Sequence, residues 1–354
     1  MKNASRRRIL AGLSAIGVVS SYGTARAQTT PVAPVDPLSP QGLVSDQIVG
    51  PLAGISIRSA TPDAFRRFLQ GGMGMIASAP EALRGSALYG LGSDHVSVRT
   101  YSGPIGGPQS IVVRVIEGAV PETTQLRPGH DALLPGLMSI GFPVSAIEGR
   151  AKILAAYDFP AVSGVTDITL PRGDGSTYKV FESHHRGPDG VLALCIDRAS
   201  LKPVGPIDLG GLGIGGPAYC GMIVTDAAAM ERLLVSVFSW QKRRDVVLSS
   251  SGPNGGLGLP AGQRFIFQQY FAPGTDTGYL VVMQHLMNQR PVPNQFGLTQ
   301  RGLGMLSFKT GRLNDVVARA RAQNILIVKQ PTGRHPTTAI LATPDGVPME
   351  VIQA

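Results

Sequence analysis

A short order of secondary structure recurs four times along this chain, and no other feature constrains the fold as much. Each copy opens with an alternating strand, passes through a helix and ends in further strands. In the first copy, apolar and polar side chains alternate over Leu52–Arg58, the period of a half-buried strand. Thr61 and Pro62 follow as the N-cap and first position of a helix. The sequence therefore predicts an α+β protein made of four βαβββ modules.

The later copies repeat this order. Their first strands are predicted at 136–144, 219–226 and 302–308, and their helices at Ile147–Tyr157, Ala227–Phe238 and Leu313–Gln323. The second and fourth copies share a Pro-Asp-Gly turn before the last strand, at 188–190 and 344–346. This match predicts two similar halves, an N-terminal domain of two modules at 49–200 and a C-terminal domain of two modules at 218–354. The Pro- and Gly-rich segment 201–217 is predicted to link them.

Two segments carry a resemblance to a known superfamily. The ending Ala342–Gln353 resembles the closing turn and strand of the vicinal oxygen chelate (VOC) superfamily, and Val224–Asp226 with the helix after it resembles the opening of a module. That superfamily contains glyoxalase I, bleomycin-resistance proteins and extradiol ring-cleaving dioxygenases. The resemblance covers nearly all of 49–354. It implies two glyoxalase/dioxygenase-like domains, in which paired modules curl their sheets around a cleft.

The resemblance also implies a divalent metal, held by two His and one Glu from first strands and a closing strand. Those first-strand positions fall near Tyr219 and Met305 in the C-terminal half, and near Gly54 and Met138 in the N-terminal half. None is histidine, and a thioether is a poor ligand for the usual divalent metals. Glu350 alone stands where the family places its carboxylate. Most family ligands are therefore absent, and Glu350 is the one metal ligand expected if a metal binds at all.

A candidate site is predicted in the C-terminal cleft. Glu350 and His285 are the expected acid–base pair, because imidazole titrates near neutral pH. Tyr219, Gln269 and Met305 are expected to line the substrate. Two alternatives stay open, since His285 also suits a hydrogen-bonded strand end and Gln269 also suits an outward polar face.

The remaining polar motifs predict less. His184-His185 follow Glu182 and precede a turn, which indicates an exposed pair, and at most one of two adjacent strand residues can face a shared site. Lys242–Arg244 indicates a solvated loop or strand edge rather than an anion site. His95, His130 and His335 have no supporting partners in sequence. Cys195 and Cys220 are either a disulfide or two buried thiols.

The N-terminus predicts export. Ser-Arg-Arg-Arg-Ile-Leu at 5–10 resembles the twin-arginine consensus, and the apolar run 9–19 is too short to span a bilayer. Ala25–Ala27 is a small-x-small pattern that places cleavage after Ala27, before a linker at 28–48. An ordinary secretory signal with extra arginines is the alternative. Residues 1–27 therefore predict a periplasmic or secreted protein.

Charge and hydropathy limit the partners. The chain has 32 basic and 23 acidic residues, but five of the basic ones lie in 1–27, so the remainder has 27 against 23. That small excess predicts no nucleic-acid partner. No later apolar run is long enough for a membrane span. The expected function is an exported VOC-family lyase, isomerase or ring-cleaving dioxygenase with a degenerate metal site, acting on a small oxygenated or aromatic compound. The alternative is a non-catalytic binding protein of the bleomycin-resistance type, and the oligomeric state is not indicated.

Overall fold

A computed structural model describes residues 47–354 except 92–95, 107–109, 119–124, 172–176, 199–202, 204, 206, 209–210, 254, 294–295 and 333–336. The predicted signal at 1–27, with its cleavage residue Ala27, lies outside the described residues. So do most of the linker 28–48 and two of the six histidines, His95 and His335. No helix in the described part of the chain is long and apolar enough to cross a membrane.

Four modules follow one another as predicted, each with a first strand, a helix and later strands. The first holds β1 (Leu52–Arg58), α1 (Pro62–Arg66), β2 (Ile76–Ala77), β3 (Glu81–Ala82), β4 (Ser97–Ser102) and β5 (Val112–Glu117). The second holds β6 (Gly136–Pro143), α2 (Ile147–Ala156), β7 (Thr166–Pro171), β8 (Thr177–Arg186) and β9 (Leu192–Asp197). The third holds β10 (Tyr219–Ile223), α3 (Ala227–Glu231), β11 (Gln241–Ser249), β12 (Arg264–Phe271) and β13 (Tyr279–His285). The fourth holds β14 (Gly302–Thr310), α4 (Leu313–Ala322), β15 (Ile327–Lys329), β16 (Thr338–Ala342) and β17 (Pro348–Gln353).

The modules pair in an order that differs from the predicted one. The first sheet has the order β15-β16-β17-β14-β1-β5-β4-β2, with β3 on β4, and so joins the fourth module to the first. The second sheet has the order β11-β12-β13-β10-β6-β9-β8-β7, and so joins the third module to the second. The expected pairing of consecutive modules, within 49–200 and within 218–354, is corrected by this topology. The first strand of a module has unpaired backbone N–H and C=O groups on one edge, which the first strand of another module can pair with. The order of the modules along the chain does not specify which two first strands pair.

Both sheets alternate two apolar faces along their central strands. In β10, Cys220 and Met222 join the main core, whereas Tyr219 and Gly221 face the opposite side. The main core lies between the sheets and the helices: one face of each sheet packs against the apolar sides of α1 to α4. Cys195 belongs to this core as well, and both cysteines are free and buried, which decides between the two alternatives in favour of thiols. The other face of each sheet is left for a site.

Helix boundaries follow from local signals. Asp226 caps α3 by accepting a hydrogen bond from the Ala229 amide at 2.9 Å, as an N-cap carboxylate does. α1 and α3 each continue into a π-helical turn, Arg67–Gly72 and Arg232–Val237, so the long helix predicted over Ala227–Phe238 is present with a changed pitch at its end.

Candidate functional site

The first sheet carries a closed polar cluster at its centre. Ser56 lies beside Arg114 in the parallel pair β1/β5, and Ser307 lies beside Glu350 in the parallel pair β14/β17. These four residues, which we call the Arg114 cluster, occupy the four central strands on the face away from the core. The pseudo-twofold relation of the two modules brings them together, although Arg114 and Glu350 are 236 residues apart in sequence.

Hydrogen bonds saturate the charges of the Arg114 cluster. Arg114 donates from Nε to Ser56 Oγ at 2.9 Å and from Nη2 to Glu350 Oε2 at 2.8 Å and to Ser307 Oγ at 2.5 Å. Glu350 also accepts from Ser307 Oγ at 2.7 Å and from the Tyr89 hydroxyl at 2.6 Å. Burial and the neighbouring carboxylate raise the pKa of Tyr89, so this phenol stays protonated and donates. Glu350 is 2% exposed and already accepts three hydrogen bonds, which leaves its carboxylate little access to a substrate.

The Arg114 cluster does not fit a divalent metal. Its donor set is two neutral hydroxyls and one carboxylate, and the guanidinium is a permanent cation 2.8 Å from that carboxylate. A second cation placed there would be repelled by the first. Within the described residues, no group of three or more His, Cys, Asp or Glu side chains is placed to hold a metal ion.

The corresponding face of the second sheet is open. The strand registers place Gly141 beside Leu194 and Gly221 beside Val281, where the first sheet has Ser307 beside Glu350 and Ser56 beside Arg114. Because two of these residues are glycines and two are aliphatic, few side-chain atoms project from the centre of this sheet. A cavity of about 190 Å³ lies over it. The ring of Tyr219 lies across Gly141, where an added Cβ would meet that ring at 2.0 Å. We call the cavity over this sheet the second-sheet cavity.

Aromatic side chains form part of the second-sheet cavity. Tyr219 and Tyr279 stack with ring centroids 4.8 Å apart, and Phe271 stacks on the other side of Tyr279 at 4.3 Å. Phe265 and Phe267 line the wall formed by β12. Such a lining suits a flat, largely apolar molecule.

A charged corner interrupts this apolar lining. Burial raises the pKa of the Glu182 carboxyl from 4.5 to about 7, and the nearby Arg244 guanidinium opposes that shift. Arg244 donates to the Tyr178 hydroxyl at 2.6 Å, and the Arg198 guanidinium lies 5.1 Å from the centroid of the same ring. A carboxyl that titrates near neutral pH inside a cavity is a group able to hold or move a proton.

His184 lies on the same wall, two residues beyond Glu182. It is 2% exposed, and neither ring nitrogen has a hydrogen-bond partner within the described residues. Burial lowers its pKa to about 3, so the ring is neutral at pH 7. The prediction of an exposed histidine pair is wrong, because β8 continues to Arg186 and carries both residues inside. Adjacent strand residues do face opposite sides as expected, and His185 bonds Phe159 O at 2.9 Å and Ser183 Oγ at 3.0 Å.

The structure separates the predicted acid–base pair. Glu350 lies in β17 of the first sheet, and His285 ends β13 of the second. The His285 ring bonds the carbonyl of Ala132 through Nε2 at 2.9 Å, and its Nδ1 lies 3.3 Å from the side-chain nitrogen of Gln263. The structure thus gives His285 the hydrogen-bonded strand-end position that was left open as its alternative.

The predicted lining residues divide between the two sheets. Tyr219 and Gln269 line the second-sheet cavity, whereas Met305 lies in a small apolar cluster on the first sheet. Gln268, next to Gln269 in β12, points away from the cavity and donates to Asp245 Oδ1 at 3.1 Å. On the first sheet, Ser307 rather than Met305 stands beside Glu350.

Sequence reasoning missed most of the polar residues that matter. Arg114 and Ser56 belong to a module predicted to lie in another domain, so nothing in sequence linked them to Glu350. Lys242–Arg244 does lie on an edge strand as expected, but Arg244 turns into the cavity. For His184 a signal was present: Tyr178, Val180, Glu182 and His184 continue one period-two face of β8.

Comparison with known proteins identifies the fold. No protein-family model matches the chain, and no curated protein sequence matches it. Among solved structures, glyoxalase I from Zea mays is similar with a TM-score of 0.56 and 12% identity, over 86% of this chain and 92% of that chain. A putative dioxygenase from Bacillus subtilis subsp. subtilis str. 168 is similar with a TM-score of 0.52 and 12% identity, over 87% of this chain and 86% of that chain. The α+β chain therefore has the glyoxalase/dioxygenase-like fold of paired βαβββ modules that its sequence predicted.

Proposed function

We propose that this protein belongs to the VOC superfamily and binds a small oxygenated aromatic molecule in the second-sheet cavity. One observation carries the proposal: a mostly apolar cavity with a few convergent polar groups lies over the centre of a glyoxalase-like sheet. Enclosed apolar pockets with a small number of polar side chains are the usual form of small-molecule sites. The stacked rings of Tyr219 and Tyr279 favour a flat ligand.

The first sheet contributes no second site in this proposal. Its Arg114 cluster fills the equivalent position with its own guanidinium and carboxylate, joined at 2.8 Å. Binding without metal chemistry accords with the alternative of a non-catalytic, bleomycin-resistance-type protein, and no step of the proposal uses a metal.

A titration with 2-naphthol, followed by its fluorescence, tests the proposal. Val281→Phe fills the second-sheet cavity from its floor, where Val281 is buried, and is expected to abolish binding. Val247→Phe is the matched control, because Val247 lies on the edge strand β11 of the same sheet but is 43% exposed. Equal binding by the wild type and the Val281→Phe variant would show that the cavity is not the site.

A second candidate function is acid–base chemistry of the lyase or isomerase type. It is favoured by Glu182, whose pKa near 7 suits proton transfer at physiological pH. If the cavity is catalytic, Glu182→Gln retains binding of a converted hydroxylated aromatic and loses product, as followed by mass spectrometry. Binding with no product from the wild type after long incubation would leave the binding function alone.

We also propose that the protein is exported by its twin-arginine signal. Ser5–Leu10 supports this proposal by its resemblance to the consensus. Replacing Arg6 and Arg7 together by Lys is expected to remove the protein from the periplasmic fraction, while Arg8→Lys, outside the pair, is the control. An ordinary secretory signal would tolerate both changes.

A further inference from the structure

Three polar side chains stand together on one wall of the second-sheet cavity. Thr166 lies directly opposite Glu182 in the antiparallel pair β7/β8, and His184 follows on the same face of β8. All three line the cavity. We call them the polar wall.

The polar wall has unused hydrogen-bonding capacity. The Thr166 hydroxyl and both ring nitrogens of His184 are buried without a hydrogen-bond partner within the described residues. The Glu182 carboxyl lines the same cavity and is only partly buried. Buried polar groups in proteins are nearly always paired, so a wall with three such groups calls for a partner from outside the chain. A neutral imidazole offers one donor and one acceptor on different edges of the ring, and a hydroxyl group can pair with either one.

Close backbone approach keeps His184 enclosed on its other side. A Cβ added to Gly256 would lie 2.5 Å from the His184 ring, so only glycine allows this loop to cover the histidine. The Nδ1 edge of the ring therefore faces this loop, and the His184 side chain lines a cavity on either side of it.

We propose that Thr166, Glu182 and His184 bind the uncharged hydroxyl group of an aromatic ligand, with the ring held against the apolar part of the second-sheet cavity. This inference rests on the proposed binding function. The hydroxyl accepts a hydrogen bond from the His184 N–H or the Thr166 hydroxyl, and donates a hydrogen bond to a carboxyl oxygen of Glu182. An ionised carboxylate in the same place would be repelled by ionised Glu182 and would offer no proton to it, so the polar wall favours a neutral group when Glu182 is ionised.

The rest of the second-sheet cavity supports a ring as the body of the ligand. Phe265, Phe267 and Tyr279 line it alongside aliphatic side chains. The opposing features are the cations Arg198 and Arg244, which also line the cavity and could attract an anionic ligand. Arg244 already donates to the Tyr178 hydroxyl at 2.6 Å, so part of the hydrogen-bonding capacity of its guanidinium is used. An anionic ligand is therefore treated as the competing outcome of the test.

Three probes with the same ring system distinguish these cases: 2-naphthol, its isostere 2-methylnaphthalene, and 2-naphthoate. The expected result by calorimetry is that 2-naphthol binds at least about 10-fold tighter than 2-methylnaphthalene, since a site built to hydrogen-bond a hydroxyl discriminates against its absence. Thr166→Val, which keeps the shape and removes the hydroxyl, is expected to reduce that ratio several-fold while leaving 2-methylnaphthalene binding unchanged. His184→Phe is expected to do the same.

The outcomes separate this inference from the function on which it rests. Equal affinities for 2-naphthol and 2-methylnaphthalene would overturn the hydroxyl-binding wall and leave a cavity that binds apolar rings. Tightest binding of 2-naphthoate, lost in Arg244→Met, would replace it with an anion site. Binding of none of the three probes would count against the proposed function itself. Circular dichroism and the melting temperature of each variant check folding, and Thr166→Val keeps the test open if His184→Phe does not fold.

Discussion

Replacing Arg114 by Met is the perturbation whose size can be worked out most directly from the structure. The side chain of Glu350 is only 2% exposed, and that of Arg114 is 22% exposed. Met keeps most of the stem and removes the cation, so a buried carboxylate loses its counter-ion and keeps only the Tyr89 and Ser307 hydroxyls. Breaking a buried ion pair on one side costs about 3–5 kcal/mol. Because two neutral donors remain, we expect a loss near the lower limit, about 3 kcal/mol.

The reverse change has a smaller expected cost. Glu350→Gln leaves a guanidinium that can reach water, and we expect a loss of about 1–2 kcal/mol. In the double variant neither charge is left unpaired, so its cost should fall short of the sum of the single costs by about 2 kcal/mol. Arg312→Met is the control, because Arg312 and Asp315 are each 48% exposed and such pairs contribute roughly 0–1 kcal/mol.

Urea unfolding followed by tryptophan fluorescence measures these values. Trp240 is the single tryptophan, and its ring packs edge-on against Phe308 of β14 at 5.6 Å, so it reports on the first sheet. A loss below about 1 kcal/mol for Arg114→Met, or strict additivity in the double variant, would refute the view that Arg114 and Glu350 are mutually dependent.

Three further outcomes are expected. Because the Glu182 pKa is raised from 4.5 to about 7, the folded protein binds a proton between these pH values that the unfolded chain releases. The free energy of unfolding should therefore fall by roughly 2–3 kcal/mol as pH rises across that range. In urea titrations at several pH values, Glu182→Gln should flatten this dependence of the free energy of unfolding on pH. Gly141→Ala should destabilise by about 1–3 kcal/mol in the same assay, because its Cβ would meet a ring at 2.0 Å, whereas Gly149→Ala in α2, with open space around it, should be neutral or slightly stabilising. Cys195 and Cys220, buried thiols whose pKa is raised to about 12, should react with DTNB only after unfolding; reaction in the native protein would contradict their burial.

Much of the fold was predictable because its signals are local. The period-two strands, the helix starts and the two Pro-Asp-Gly turns each depend on a few neighbouring residues, and together they predicted four βαβββ modules. The pairing of the modules was not predictable in this way. It depends on which first strand meets which, and β1 with β14 and β6 with β10 are contacts between distant parts of the chain.

The site was harder to predict for the same reason. Glu350 was found by the closing motif, but its partner Arg114 lies in the first module, and no local pattern connects them. His184 was misplaced because a turn signal follows closely, and the strand was expected to end before it. Tyr219 and Gln269 both line the second-sheet cavity, since alternation along a strand fixes which side chains share a face, and their contact with a substrate stays a prediction.

The order in which the modules pair also has a consequence for how the chain assembles. The second sheet joins the second and third modules, which are neighbours in sequence, whereas the first sheet joins the first module at 52–117 to the fourth at 302–353. Closing the longer loop costs more entropy, and contacts between distant segments form more slowly. During synthesis, the edge of β1 that pairs with β14 stays uncovered until the fourth module has emerged from the ribosome. The nested pairing therefore lets the second sheet form before the first sheet is complete.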